Sequence, residues 1–302
     1  MRIKYACLLA FLTGLVACDN SMEDGKLPSE DIGPRNLCIN AQEEVVTKEQ
    51  MTGTYLPDNS TLGIFLLGSD GGTYNGTAYN NVPYTSSGTA AEQVWSPGSG
   101  NPITLTEATG SAYAYFPYTS GVSYEDITAI PITNNGTDWM YGSEASTNLS
   151  NLNNTASFTL KHACTIIRCS IHQGTYVGTG VVNSVKMQCD AFATGATMDL
   201  TVPQVSGFSG LGTTMELTDW GTMSGEDLKK DFWAIPAGTT ANLKFTIDVD
   251  GNTYIATKAD FTPVAGAVYP FTLTVNSVEA TVEVSGITPW EFLDKGEYFP
   301  AP

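Results

Sequence analysis

Cys18 sits where chemistry is easiest to name. It follows Leu15-Val16-Ala17 and opens a polar, acidic stretch, DNSMEDGKLPSEDIGPRN. A cysteine closing a short apolar run behind Arg2 and Lys4 has the pattern of a lipobox, in which the thiol is acylated and the residue becomes the new N-terminus. Ala6 to Val16 spans roughly 11 residues, a signal-peptide length and too short to cross a bilayer. A plain signal peptide that happens to contain a cysteine is the alternative. Each buried acyl methylene contributes about 0.8 kcal/mol, so several chains on one residue anchor a protein stably. No later segment reaches the ~18 consecutive apolar residues of a membrane helix. The expectation is a signal peptide over 1–17, a flexible acidic spacer over 18–35, and a body held on a lipid tether.

Other reactive types are sparse. A hydrolytic triad needs a histidine base, and only His162 and His172 are present. No GxSxG elbow exists, and SGFSG at Ser206–Gly210 has the wrong spacing. DVDGN (Asp248–Asn252) resembles half of a calcium loop but lacks the closing glutamate. Nothing singles out a carboxylate pair for glycoside hydrolysis. Cys38, Cys164, Cys169 and Cys189 form no CxxC pair, which disfavours zinc. The expectation is a non-enzyme with no metal and no cofactor.

The 302 residues suffice for two ordinary domains. Only 15% of residues are charged and the formal net charge is −18, with no basic stripe, which argues against a nucleic-acid partner. Low charge with abundant small polar residues suits an extracellular β-protein.

The elements that must position any site read as strands. Helical periodicity is nearly absent, and short alternating runs are bounded by Gly, Asn, Asp, Ser or Pro. Leu62–Leu67 is one strand, ended by a glycine turn. In SAYAYFPYTSG, Tyr113 and Tyr115 face one way and Ala114 and Phe116 the other. In ANLKFTIDVDGNTYIATK, Leu243, Phe245, Ile247 and Val249 alternate before an Asp250-Gly251 turn, a strong hairpin signal. Phe271, Leu273 and Val275 share a face, and Val278, Val282 and Val284 belong to a following strand. In FTLKHACTIIRCSI the inward parity changes between Phe158/Leu160 and Ile167/Cys169/Ile171, which predicts a bulge. A hairpin centred near Tyr176–Val177 would set Cys164 close to opposite Cys189, as a disulfide or as two buried thiols. The polar stretch Gly142–Ser157 marks the domain boundary, with one β-sandwich over 36–145 and another over 156–302, including a C-terminal tail.

The serial order of these pieces resembles a known family. GIFLLGS (Gly63–Ser69), VW (Val94-Trp95), AYAYFPY (Ala112–Tyr118), DWMYG (Asp138–Gly142), FTLKHACTIIRCSI (Phe158–Ile171), AGAVYPFTLTV (Ala265–Val275) and VEVSGITPW (Val282–Trp290) follow the lipobox as they do in the Bacteroidales fimbrillins, the type V pilins, in their Mfa-like branch. Cys164 departs from the pattern, where the family usually has a small apolar residue. Acidic residues just behind Cys18 also resemble the surface-export signal of Bacteroidetes lipoproteins. The resemblance implies an all-β chain of two tandem transthyretin-like β-sandwiches. It implies an outer-membrane lipoprotein exposed at the cell surface, proteolytic removal of the first strand, and polymerisation by strand exchange into a fimbrium. The implied partners are other fimbrillin subunits, the outer membrane through the lipid anchor before processing, and a host or bacterial surface receptor.

Several residues fit these roles. Leu37, Ile39 and Ala41 lie on one face of a removable first strand within 36–48. Lys48 follows as the processing residue, where the family pattern often has arginine. Arg35 is the other basic candidate, but it precedes the strand, and cutting there would leave the groove filled. Val282, Val284, Trp290 and Phe292 form the candidate donor; the alternative is that Val278–Val284 is the final strand of its own domain and the tail caps it. A disulfide from Cys38 to Cys164, Cys169 or Cys189 would staple the first strand to the body and forbid its release. The function expected is a stalk or tip subunit serving adhesion. The alternative is a non-polymerising surface lipoprotein that binds glycan or protein through Tyr55, Tyr74, Tyr79, Tyr84 and Trp95, residues that serve equally well as core.

Overall fold

The computed structural model describes residues 33–44, 55–88, 93–98, 102–284 and 288–289. Among them the chain is all-β, and a short 3-10 turn at Tyr124–Thr128 is its one helical element. No helix among the described residues is long and apolar enough to cross a membrane.

The first half contributes β1 (Arg35–Asn36), β2 (Cys38–Glu43), β3 (Thr61–Gly68), β4 (Tyr79–Ser87), β5 (Val94–Pro97), β6 (Thr104–Leu105), β7 (Gly110–Phe116), β8 (Ile130–Thr133), β9 (Met140–Gly142), β10 (Ser146–Leu149) and β11 (Thr155–His162). Seven of these form the sheet β2-β11-β9-β7-β3-β4-β5, with β10 also on β7 and with β1 paired to β6. The sheet curls so that its two edges, β2 and β5, approach each other. Leu37, Ile39, Leu62, Ile64, Tyr84, Ile103, Leu105 and Phe158 fill its inside. β3 is buried along almost its whole length because both faces are covered, which is why LGIFLL shows no polar alternation. Gly63 is required there: a Cβ would meet the Tyr115 ring at 2.1 Å. Tyr115 is held over it by donating its hydroxyl to Asn81 Oδ1 at 2.9 Å.

The second half contributes β12 (Thr165–Gln173), β13 (Val181–Gln188), β14 (Phe192–Ala193), β15 (Gly195–Asp199), β16 (Gln204–Ser209), β17 (Met215–Thr222), β18 (Leu228–Pro236), β19 (Ala241–Val249), β20 (Asn252–Phe261), β21 (Ala267–Val275), β22 (Ala280–Val284) and β23 (Thr288–Pro289). The sheets β14-β18-β12-β21-β22 and β17-β13-β19-β20 enclose one core, with β23 also on β21. Phe271 lies at its centre, 5.5 Å from the Phe245 ring and 5.6 Å from Phe261. The β19–β20 hairpin turns at Asp250 and Gly251, with φ of 51° and 79°. Both positive angles belong to the type I′ turn that DG favours.

Four expectations are corrected. Gly142–Ser157 is not a structureless boundary: it contains β10 and leads into β11, which runs parallel to β2 inside the first sheet. The parity change at Phe158–Ile171 is no bulge either. Two strands in different sheets meet at Ala163–Cys164, so each keeps one inward parity. β12 pairs β18 and β21 while β13 lies in the other sheet, so Cys164 and Cys189 are not hairpin neighbours and both are free thiols. Val278 sits in the turn before β22 and is 90% exposed.

The two halves are joined by more than the chain. β8 from the first half pairs antiparallel with β15 from the second, from Thr133↔Gly195 to Ile130↔Met198. Beneath this small sheet, Phe65, Tyr115, Ile132 and Trp139 share a buried cluster with Ile166, Met198 and Ile235.

Candidate functional site

β2 owes its position to its alternation. Leu37, Ile39 and Ala41 are 4%, 4% and 1% exposed and enter the first core beside Ala156, Phe158 and Leu160 of β11. Between them, Asn40 and Gln42 face solvent and Cys38 is half-buried. Six parallel register pairs, from Cys38↔Thr155 to Glu43↔Leu160, hold the strand to β11. At its ends Leu37 N–H donates to Ile103 O at 2.8 Å and Glu44 N–H to Leu160 O at 2.7 Å. β2 ends the sheet and has one ladder partner, whereas β11 has two. Burial of Leu37 and Ile39 contributes about 1.5–3 kcal/mol each. Taking β2 away would therefore open an apolar slot and leave the edge of β11 unpaired.

Sequence reasoning missed one residue of this strand. Glu43 continues the inward parity of Leu37, Ile39 and Ala41 and is 1% exposed. The parity itself was the available signal; the residue's charge disguised it. The slot thus runs large, large, small, polar. Beyond it, Glu44 and Lys161 form a surface pair at 3.8 Å, of the kind that contributes little. His162 is buried and its Nδ1 lies 2.9 Å from Asp138 Oδ1. Burial raises the Asp138 carboxyl above its ordinary value, and the neighbouring imidazole partly offsets this.

Arg35 lies on β1 opposite Leu105, half-buried. Val282 is half-buried on β22, an edge strand, opposite Leu273, and Val284 pairs with Phe271. Cys18, Lys48, Trp290 and Phe292 lie outside the described residues.

A family model described as fimbrillin-like matches residues 49–290. The chain belongs to the fimbrillin-like family. No curated protein sequence matches this fimbrillin-like chain. Among solved structures it is similar to a proposed cell adhesion protein from Bacteroides uniformis, at 18% identity and a TM-score of 0.64, over 85% of this chain and 98% of that one. A proposed cell adhesion protein from Bacteroides ovatus aligns at 17% identity and a TM-score of 0.63, over 87% of this chain and 100% of the other. A third, from Bacteroides fragilis, aligns at 12% identity and a TM-score of 0.55, over 87% and 100%. These likenesses concern the fold.

The titratable and aromatic residues of this fimbrillin-like protein are placed as follows. His162 and His172 each pair with an aspartate, Asp138 and Asp227, both at 2.9 Å. No group of three or more His, Cys, Asp or Glu among the described residues could hold a metal. Tyr74, Tyr84 and Trp95, considered for stacking on sugars, are buried in the first core. Burial pushes the Tyr84 hydroxyl up to about 12.

Cys164, Cys169 and Cys189 are buried free thiols, so none of them staples Cys38 to the second half. Burial first, then the nearby Asp138 carboxylate, pushes Cys164 up to about 12, and Cys169 is raised well above its ordinary value by burial and Asp231. A thiol that stays protonated is a poor nucleophile. Native protein at pH 8 is therefore expected to leave Cys164 and Cys169 unreacted with a water-soluble aromatic disulfide, and to titrate both after denaturation. Rapid labelling of either in the native state would contradict the burial.

Proposed function

We propose that the protein is a stalk or tip subunit of a type V pilus, exported as a lipoprotein acylated at Cys18 and assembled by protease-triggered strand exchange. The observation that carries this reading is the placement of β2: an edge strand, paired to one neighbour, whose Ile39 and Ala41, with Leu37 just ahead of it, are buried in the first core. A cut at Lys48 frees β2, whereas a cut at Arg35 falls ahead of it and leaves the slot filled. The donor is the C-terminal segment carrying Val282, Val284, Trp290 and Phe292. Its described strands, β22 and β23, pair with β21 and with no other strand. Insertion of that segment into a neighbour's slot would restore both the backbone pairing and the apolar burial.

The test is N-terminal sequencing of protein recovered from surface polymers, which is expected to begin at residue 49. A mature end upstream of residue 36 would reject strand release. In the same cells Cys18→Ala should shift the precursor out of the membrane fraction. Unchanged partitioning, with no acyl mass on the N-terminal peptide, would reject the lipid anchor.

A further inference from the structure

The far end of the second half is a locked composite of three turns. Asp250 accepts hydrogen bonds from the Tyr176 hydroxyl at 2.7 Å, the Gly180 N–H at 2.8 Å and the Val181 N–H at 2.9 Å. Thr175 N–H donates to Asn276 Oδ1 at 3.0 Å, and the Ser277 hydroxyl donates to Thr175 O at 2.5 Å. This rigid tip holds two valines almost wholly in solvent, Val177 at 89% and Val278 at 90% exposed. At such exposure neither side chain adds to the buried core.

A surface of the first half offers a match. Ahead of β1, a cleft is lined by Gly33, Pro34, Asn75, Thr106, Glu107, Ala108 and Asn151. Beside it the Ser150–Asn153 turn presents Leu152, 75% exposed. Asn154 ties this turn to β1 by donating its side-chain amide to Asn36 O at 2.9 Å.

The sequence connects the two surfaces. The slot of β2 is filled by Leu37, Ile39, Ala41 and Glu43: large, large, small, polar. At the same spacing the C-terminal segment reads Val282, Val284, Gly286 and Thr288: apolar, apolar, small, polar. Reversed, the segment would put Thr288 in the buried place of Leu37, so the match also sets its direction. With Val282 in the place of Leu37, four residues back puts Val278 where Gly33 stands, because Leu37 and Gly33 are also four apart. Removal of residues up to Lys48 takes Gly33 and Pro34 away and leaves that floor bare.

We infer that the Val177/Val278 tip of one copy docks on the Leu152 face of a second copy, with Val282, Val284, Gly286 and Thr288 running in the places of Leu37, Ile39, Ala41 and Glu43. This contact rests on the strand-exchange reading and gives it a register, a direction and a homotypic partner. The tip then acts as the stop that ends insertion, since the three-turn lock cannot follow the strand into the slot.

The test uses full-length protein in cells that assemble it. Val177→Asp with Val278→Asp should leave the thermal midpoint and the cut at residue 48 unchanged, because both side chains are exposed, and should lower polymer yield at least tenfold. Leu152→Asp should do the same, and Val278→Lys combined with Leu152→Asp should recover most of the yield. Independently, Val278→Cys with Leu152→Cys should give a disulfide-linked ladder under non-reducing conditions. Normal polymers from the Asp variants, or no ladder from the cysteine pair in polymers that form, would overturn the contact and leave strand exchange standing. Wild-type protein that is cut at residue 48 and never polymerises would instead sink the exchange reading, and this contact with it.

Discussion

Phe271→Ala is expected to lower the unfolding free energy by about 3–5 kcal/mol. Phe271 is 1% exposed on β21 and packs against rings from the facing sheet, with Phe245 at 5.5 Å and Phe261 at 5.6 Å. Truncation removes the transfer term of the ring and leaves a cavity. β21 is flanked by β12 on one side and β22 on the other, so the backbone has little freedom to collapse into that cavity. Leu273→Ala, on the same face and fully buried, should cost about 2–5 kcal/mol. A denaturant titration reads both. A loss well below 1 kcal/mol at either position would mean that the inward face of β21 has been misassigned.

The second large effect concerns assembly. Lys48→Ala should leave the protein at the cell surface with residues up to 48 still attached, and should abolish polymers. β2 is bound by six register pairs and three apolar side chains, so it does not leave while it remains covalently joined to the strand that follows. Arg35→Ala should change nothing, since cleavage there would keep Leu37 to Glu43 in the slot. Gel analysis under conditions that preserve polymers, paired with N-terminal sequencing, distinguishes the cases. Wild-type polymer levels from Lys48→Ala would place the cut elsewhere. Loss of polymers from Arg35→Ala alone would show that the segment ahead of β2 is the part that must go.

Release of β2 with its partner segment requires the bond on Cys38 to leave with it or be reduced, because Cys38 is itself disulfide-bonded. Cys164, Cys169 and Cys189 are not bonded to Cys38, so the second half holds no covalent staple on β2. Sequence reasoning left that question open, because four cysteines in a disulfide-permissive compartment do not disclose their partners.

Much of the local structure was legible in the residues. Leu243, Phe245, Ile247 and Val249 alternate and are all fully buried, and Asp250-Gly251 supplies the two positive φ angles of the turn. Leu37, Ile39 and Ala41 share one face as their spacing requires. These features depend on side-chain parity and on turn chemistry within a few residues, so they are written locally. Which strand pairs with which is not local. The parity change near Ala163 is compatible with a bulge or with a crossing between sheets, and only the ladders of β11 with β2 and of β12 with β21 decide for the crossing. The polar run Gly142–Ser157 lacks apolar period, yet part of its backbone pairs with β7, at Ser146↔Ala112 and Leu149↔Gly110 with a register shift between them. Fusion of the two halves through β8 and β15 depends on contacts more than sixty residues apart in the chain. The inward turn of Glu43 and the edge position of β2 were settled in the same way, by what packs on each side of the strand. Sequence alone determined which segments become strands and which of their faces are apolar. Tertiary structure decided their neighbours, and so decided that the first strand closes the core from the edge of its sheet.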